Sequence, residues 1–135
     1  MKVLVDTSVW SLALRRRSPD PADEPIRAAL ADLVTDVRVA LIGPIRQELL
    51  SGVSDPDVFE RLKDRLAVFP DEPIGPDDFV AAARLFNACR RHGVQGSPTD
   101  FLICAVAIGR RWEVFTTDGD FAQYAAHIPV TLYTP

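Results

Sequence analysis

Within its first ten residues the chain commits to a strand, a carboxylate and a helix in immediate succession. Val3, Leu4 and Val5 form a short apolar run with β-branched members, the pattern of a strand buried on both faces. Asp6 ends that run, Thr7 and Ser8 follow, and Val9, Leu12 and Ala13 take up helical spacing. A strand without a solvent face needs helices on both sides of its sheet, which restricts the chain to α/β architectures. In open α/β sheets ligands bind at the carboxyl ends of the strands, and Asp6 stands at such an end. Taken alone, Asp6 equally suits the N-cap of the helix it precedes.

The remaining sequence repeats the alternation. The first helix extends from Thr7 to about Arg16, and the Arg15–Arg17 triplet reads as its solvated basic end or as a phosphate contact. Residues 18–25 hold three prolines and three acids and form a loop. Ile26, Ala29, Leu30, Leu33 and Val34 give an amphipathic helix, and Val37, Val39, Leu41 and Ile42 a second strand closed by Gly43 and Pro44. In the next helix, PIRQELLSG, Glu48 borders the apolar side made by Ile45, Leu49 and Leu50. Residues 57–69 carry Val58, Leu62 and Leu66 in helical register, with 67–69 read either as the helix end or as a short extended piece.

After the breaker at 70–76, Asp77 and Asp78 cap a helix bearing Phe79, Val80, Ala83, Phe86 and Cys89, which stops at His92-Gly93. The segment from Thr99 to Arg111 is apolar almost all round and so belongs in the centre. Glu113–Thr117 reads as a strand, Asp118-Gly119 as a turn, Phe121–Ala126 as a short helix and Val130–Tyr133 as a last strand. The expectation is one α/β domain over residues 1–135, with a mostly parallel sheet covered on both faces.

Composition narrows the function only a little. With 47% hydrophobic and 25% charged residues the chain has enough apolar content for a core and is no disordered segment. No apolar run approaches the ~18 residues of a membrane span, and no secretory leader precedes Lys2, so the expected location is the cytoplasm and no membrane partner is expected. Cys89 and Cys104 lie in apolar helical patterns and read as small buried hydrophobes. A net charge of −4 argues against non-specific coating of nucleic acid, but not against an enzyme that acts on it.

The acids carry more information. Asp6, Glu48, Asp100 and Asp118 each sit at an element junction or on the border of a buried face, with Asp120 two residues further on. Each has an ordinary structural role available. Ser97-Pro98-Thr99-Asp100 matches a capping box, Asp118-Gly119 a turn, and Glu48 a surface helix position. Together they say more, because Asp6 and Asp118 both follow strands and adjacent parallel strands would bring them close. Asp100, in the first turn of the buried helix, can point at the same edge. Converging carboxylates disfavour one another's ionisation unless a cation offsets them. Oxygen-only ligation suits Mg²⁺ or Mn²⁺, ions that activate water against a phosphodiester. His92 and His127 lack partners at zinc-ligand spacing and read as surface or helix-end residues.

These motifs resemble the PIN-domain family and, within it, the VapC-like ribonuclease toxins of toxin–antitoxin pairs. VLVDTSVW carries Asp6, PIRQELLSG carries Glu48, SPTDFLICAVAIG carries Asp100, and FTTDGDF carries Asp118 and Asp120, in the family's order and over nearly the whole chain. The resemblance implies a three-layer α/β/α sandwich and a Mg²⁺-dependent endoribonuclease, with Mn²⁺ able to substitute. It implies Asp6 and Asp100 as primary metal ligands, Glu48 and Asp118 completing the catalytic pocket, and Asp120 as an outer ligand. Thr7, Ser8 and Thr117 would orient these acids or serve as caps. RNA is the implied substrate, and a small antitoxin covering the active-site groove and a homodimer are the implied partners.

Phe79, Val80, Leu85 and Phe86 offer either core or a partner surface. Among Arg15, Arg16, Arg90, Arg91, Arg110 and Arg111, those flanking the acids would line an RNA path. The alternative is an RNA-binding or regulatory module of the same fold whose acids no longer act. A DNA-directed nuclease of that fold is the closest competitor, disfavoured by a short chain without a clamp-like insertion, and an aspartyl phosphatase is disfavoured because Ser8 stands where its second aspartate would be.

Overall fold

The computed structural model describes residues 1–14 and 20–135, so the expectations attached to Arg15, Arg16 and Arg17 lie outside the described residues. In chain order come β1 (Val3–Val5), α1 (Thr7–Leu14), a 3-10 turn (Pro21–Asp23), α2 (Glu24–Thr35), β2 (Val39–Ala40), α3 (Gly43–Leu50), α4 (Pro56–Leu66), α5 (Pro76–Arg91), α6 (Pro98–Arg110), β3 (Glu113–Phe115) and α7 (Asp120–Ala125). The three strands form one parallel sheet in the order β2-β1-β3. β1, fully buried, is the central strand, as its unbroken apolar run requires.

The strand order fixes where a site can form. From β1 the chain crosses to β2 on one side, then returns past β1 to β3 on the other. Two right-handed crossovers in opposite directions place their helices on opposite faces, giving an α/β/α sandwich. The reversal makes the carboxyl ends of β1 and β3 a topological switch point, the place where open α/β sheets bind ligands. Register aligns those ends: Val5 pairs with Phe115, and the next amide, of Asp6, donates to the Phe115 carbonyl at 2.9 Å.

α6 is the core helix, with Phe101 to Ala107 all buried against β1, β3 and α5. Cys89 and Cys104 are free and buried, as their apolar surroundings predict. No helix among the described residues is long and apolar enough to cross a membrane.

The strands are shorter than their sequence patterns. Val37 turns back at φ 56° to close α2, so β2 starts only at Val39. Residues 67–69 are a turn, and the extended contact comes later, as a parallel bridge between Leu41 and Asp71. The expected strand Val130–Tyr133 is reduced to one bridge, Val114 to Leu132. Pro129 and Pro135, which cannot donate to a ladder, bracket that segment. β3 ends at Phe115 rather than Thr117.

Candidate functional site

Asp6 is the one polar or charged residue among the described residues that is buried, at 6% exposure. Its carbonyl starts α1 by accepting from Val9 and Trp10. Its carboxylate does more than cap, since the Ser8 amide reaches Oδ2 only at 3.4 Å. The close partners are hydroxyls: Ser8 Oγ donates to Oδ2 at 2.7 Å and Thr116 Oγ1 at 2.8 Å. The Ser8 hydroxyl in turn accepts the Thr117 amide at 3.0 Å, and Thr116 Oγ1 accepts the Asp118 amide, also at 3.0 Å. One hydroxyl lattice therefore ties the end of β1 to the turn after β3.

Glu48 and Asp100 are held in the same manner, and Asp118 by a backbone amide. Glu48, exposed on α3, accepts from Thr7 Oγ1 at 2.8 Å through Oε2. Asp100 occupies the third position of α6, where Ser97 Oγ caps its amide at 3.1 Å. Its Oδ2 accepts the Tyr124 hydroxyl of α7 at 2.7 Å. Asp118 is exposed and its Oδ1 accepts the Asp120 amide at 2.9 Å, fixing the turn into α7. Asp6, Glu48 and Asp100 each take these side-chain bonds on a single carboxylate oxygen.

Electrostatics couple three of the acids. Burial holds the Asp100 carboxyl above the usual carboxylate range, and the charges of Asp6 and Asp118 push it the same way, against hydrogen bonds from Tyr124 and Ser97. Beneath it, burial and the Asp100 charge push the Cys104 thiol up to about 12, so Cys104 stays protonated. Asp120 bears on Tyr124 rather than on Asp100. Among the described residues no three His, Cys, Asp or Glu side chains close into a group that could hold a metal ion. The acids line one edge, with Asp6, Glu48 and Asp100 drawn to different hydroxyls and Asp118 to a backbone amide, and like charges oppose closer approach.

The hydroxyls differ from the sequence expectation in two respects. Ser8 and Thr7 do reach acids, but on the β3 side the hydroxyl on Asp6 belongs to Thr116, while Thr117 contributes its amide. Thr117 suggests itself because it flanks Asp118, but that adjacency does not say which of two neighbouring threonines turns its hydroxyl to Asp6, since side chains alternate along extended backbone. Tyr124 was missed because a tyrosine in a short helix reads as core. Only the tertiary contact shows its hydroxyl on Asp100.

Of the arginines proposed for an RNA path, Arg110 is committed to Asp78 and Arg111 caps the far end of α6. Arg90 and Arg91 end α5, which the loop 92–97 joins to the start of α6, so they lie at the acid end. Arg90 sits over the Phe86 ring at 5.6 Å. His92 and His127, both exposed, stack with centroids 4.4 Å apart and pin the end of α5 beside α7. Phe79 and Val80 are 55% and 48% exposed, and Phe79 edges a groove of about 440 Å³ between α5 and α6, lined also by Phe86 and Leu102.

Comparison with known proteins agrees with this architecture. Residues 3–127 match the family described as PIN domain. Ribonuclease VapC11 of Mycobacterium tuberculosis and a VapC ribonuclease of Mycobacterium bovis are each 34% identical over 124 residues, covering 88% of this chain and 88% of theirs. Among solved structures, FitAcB from Neisseria gonorrhoeae superposes with a TM-score of 0.78 at 24% identity, covering 98% of this chain and 97% of that one. VapBC2 from Rickettsia felis, bound to a DNA fragment from its promoter, gives 0.79 at 14% identity, covering 98% of both chains. A parallel β2-β1-β3 sheet, an aspartate at the end of its central strand and matches over nearly the full length lead to one assignment: the chain belongs to the PIN-domain family, alongside its VapC ribonucleases.

Proposed function

We propose that this protein is a Mg²⁺-dependent endoribonuclease, with Mn²⁺ able to substitute, and the toxic member of a toxin–antitoxin pair. The observation that carries the reading is Asp6. A buried carboxylate at the end of the central strand is held, among the described residues, by two hydroxyls and a longer contact from the Ser8 amide, with the charges of Asp100 and Asp118 acting on the same edge. The donor set fits the ion. It is all oxygen, and each hydroxyl-held acid keeps a second oxygen outside these bonds, as binding through a few carboxylates and waters requires.

In this reading Asp6, Asp100 and Asp118 would hold Mg²⁺, with Asp120 as an outer member. A bound ion supplies activation of water and charge for the leaving oxygen of a phosphodiester. Ser8 and Thr116 fix the Asp6 carboxylate, so no side-chain search is needed at the moment of reaction. Thr7 fixes Glu48 at the exposed rim, where it would complete the acidic pocket. Arg90 and Arg91 offer phosphate contacts at the acid end.

RNA as the substrate is supported by the ribonuclease names of relatives 34% identical to this chain. A small antitoxin covering the site and a second copy of the chain are the proposed partners, and the exposed Phe79 and Val80 supply apolar surface for such contacts. The proposed location is the cytoplasm.

The test is incubation of purified, antitoxin-free protein with total RNA in Mg²⁺ or Mn²⁺, alongside EDTA and Asp100→Asn controls, followed by mapping of the new ends. Discrete cuts lost in both controls are expected. A folded protein that binds neither ion would overturn the metal assignment, and cutting that survives EDTA would overturn the mechanism.

A further inference from the structure

We infer that Tyr124 is a positioning residue for Asp100, and that Gly96 is glycine because the Tyr124 ring needs its place. The inference rests on the metal site proposed above and deepens it. Tyr124 is fully buried except for the bond its hydroxyl makes, packed between Phe101 at 4.7 Å and Phe121 at 5.2 Å between ring centroids. Those rings leave the phenol one direction, and along it the hydroxyl meets Asp100 Oδ2 at 2.7 Å. On its other side lies the Gly96 backbone. A Cβ at position 96 would land on the hydroxyl itself, 2.6 Å from Cζ and 2.9 Å from Cε1, with no flexible chain end able to give way. The loop before α6 thus carries a glycine for close approach rather than for turning.

The choice of a phenol has a chemical reason. A lysine or arginine at this position would fix Asp100 but neutralise it and compete with a metal ion. A hydroxyl donates one hydrogen bond and leaves the full carboxylate charge in place. With Oδ2 engaged, Asp100 presents Oδ1 in one orientation, and Tyr124 does for Asp100 what Ser8 and Thr116 do for Asp6.

The experiment is Mn²⁺ titration calorimetry on full-length wild type and Tyr124→Phe, with thermal unfolding of both in EDTA and cleavage followed as a function of Mn²⁺. The phenylalanine keeps the ring packing and removes only the donor. We expect Mn²⁺ affinity to fall about tenfold, the low end of what loss of an outer hydrogen-bond partner costs a metal site. The Mn²⁺ midpoint for cleavage should rise by the same factor while the rate at saturating Mn²⁺ is largely recovered. A purely structural tyrosine would lower the unfolding midpoint and leave the affinity alone. Wild-type affinity in Tyr124→Phe therefore overturns the inference, whereas failure of the wild type to bind Mn²⁺ overturns the metal site itself. Gly96→Ala should reproduce the affinity loss, and combining it with Tyr124→Phe should add little, because both act through one bond.

Discussion

The molecule handles its carboxylates in two opposite ways. From the connection after α4 into the first turn of α5, acids meet cations. Arg46 of α3 pairs with Asp71 at 3.0 Å and donates to the carbonyls of Leu66 and Phe69. Lys2 pairs with Glu72. Arg110 grips both oxygens of Asp78, at 2.9 and 3.0 Å, and the Pro73 carbonyl at 2.7 Å. Three basic residues from three places in the sequence thus clamp a proline-rich segment that, among the described residues, has one bridge to the sheet. At the end of β1, Asp6, Glu48 and Asp100 meet hydroxyls instead. A cation fixes an acid by cancelling its charge, while a hydroxyl fixes it and leaves the charge available. The first arrangement stabilises the fold, and the second preserves a negative edge at some cost to it.

The two regions also titrate in opposite senses. The Arg110 guanidinium holds the Asp78 carboxyl below the usual range, so its contribution is present above the ordinary carboxylate pKa and is lost as pH falls through the depressed value. Asp100 is raised by burial, so the fold favours its neutral form, and that preference is lost as pH rises through the raised value.

The sharpest way to break the comparison is Asp100→Asn. Cleavage should fall by more than about 100-fold, beyond what an outer partner costs. The unfolding midpoint at neutral pH should hold or rise, because a buried, repelled charge is gone. Asp78→Asn should do the reverse, lowering the midpoint while cleavage per folded molecule is unchanged. Measuring both variants by RNA cleavage and thermal melts would collapse the distinction if each lost stability and activity together.

Thr116→Val is next in size, and it also tests what the sequence could disclose. The valine keeps the shape and deletes a donor to Asp6, so cleavage should drop about tenfold, whereas Thr117→Val, whose contact is through its amide, should change it little. From the sequence the two threonines look alike. The α/β order, the buried α6 and the junction positions of Asp6, Glu48, Asp100 and Asp118 were legible because apolar periodicity and strand ends are local signals. Which threonine faces Asp6 depends on β3 stopping at Phe115, set by pairing with β1 rather than by its own residues. Tyr124 was illegible for the same reason, being 24 residues from the acid it bonds. Val130–Tyr133 was over-read, since a strand-like composition says nothing of how much ladder the neighbouring strand offers.

A smaller effect is expected from Arg110→Ala, which removes a two-pronged, partly buried ion pair and the Pro73 contact. Denaturant titration should show a loss of about 1–2 kcal/mol, in the range of charge-assisted hydrogen bonds and above that of exposed pairs. The loss should diminish at acid pH, where protonated Asp78 no longer gives the wild type its advantage.

The smallest prediction concerns Lys2, which faces Glu72 and lies 5.8 Å from the Trp112 ring that Arg110 also approaches at 5.9 Å. Lys2→Met keeps the aliphatic stem and should cost about 0.5 kcal/mol, as partly exposed pairs do. Salt then separates the two halves of the molecule. Going from 0.05 to 0.5 M KCl shortens the screening length to a few ångströms, so the difference between wild type and Lys2→Met in denaturant titrations should shrink towards zero. Around Asp6 and Asp100 the same salt relieves repulsion, so the stability gained by Asp100→Asn should also shrink, from the opposite sign. If added salt moved both differences in one direction, the acids at the strand ends would be held by cations after all, and the contrast between the two regions would fail.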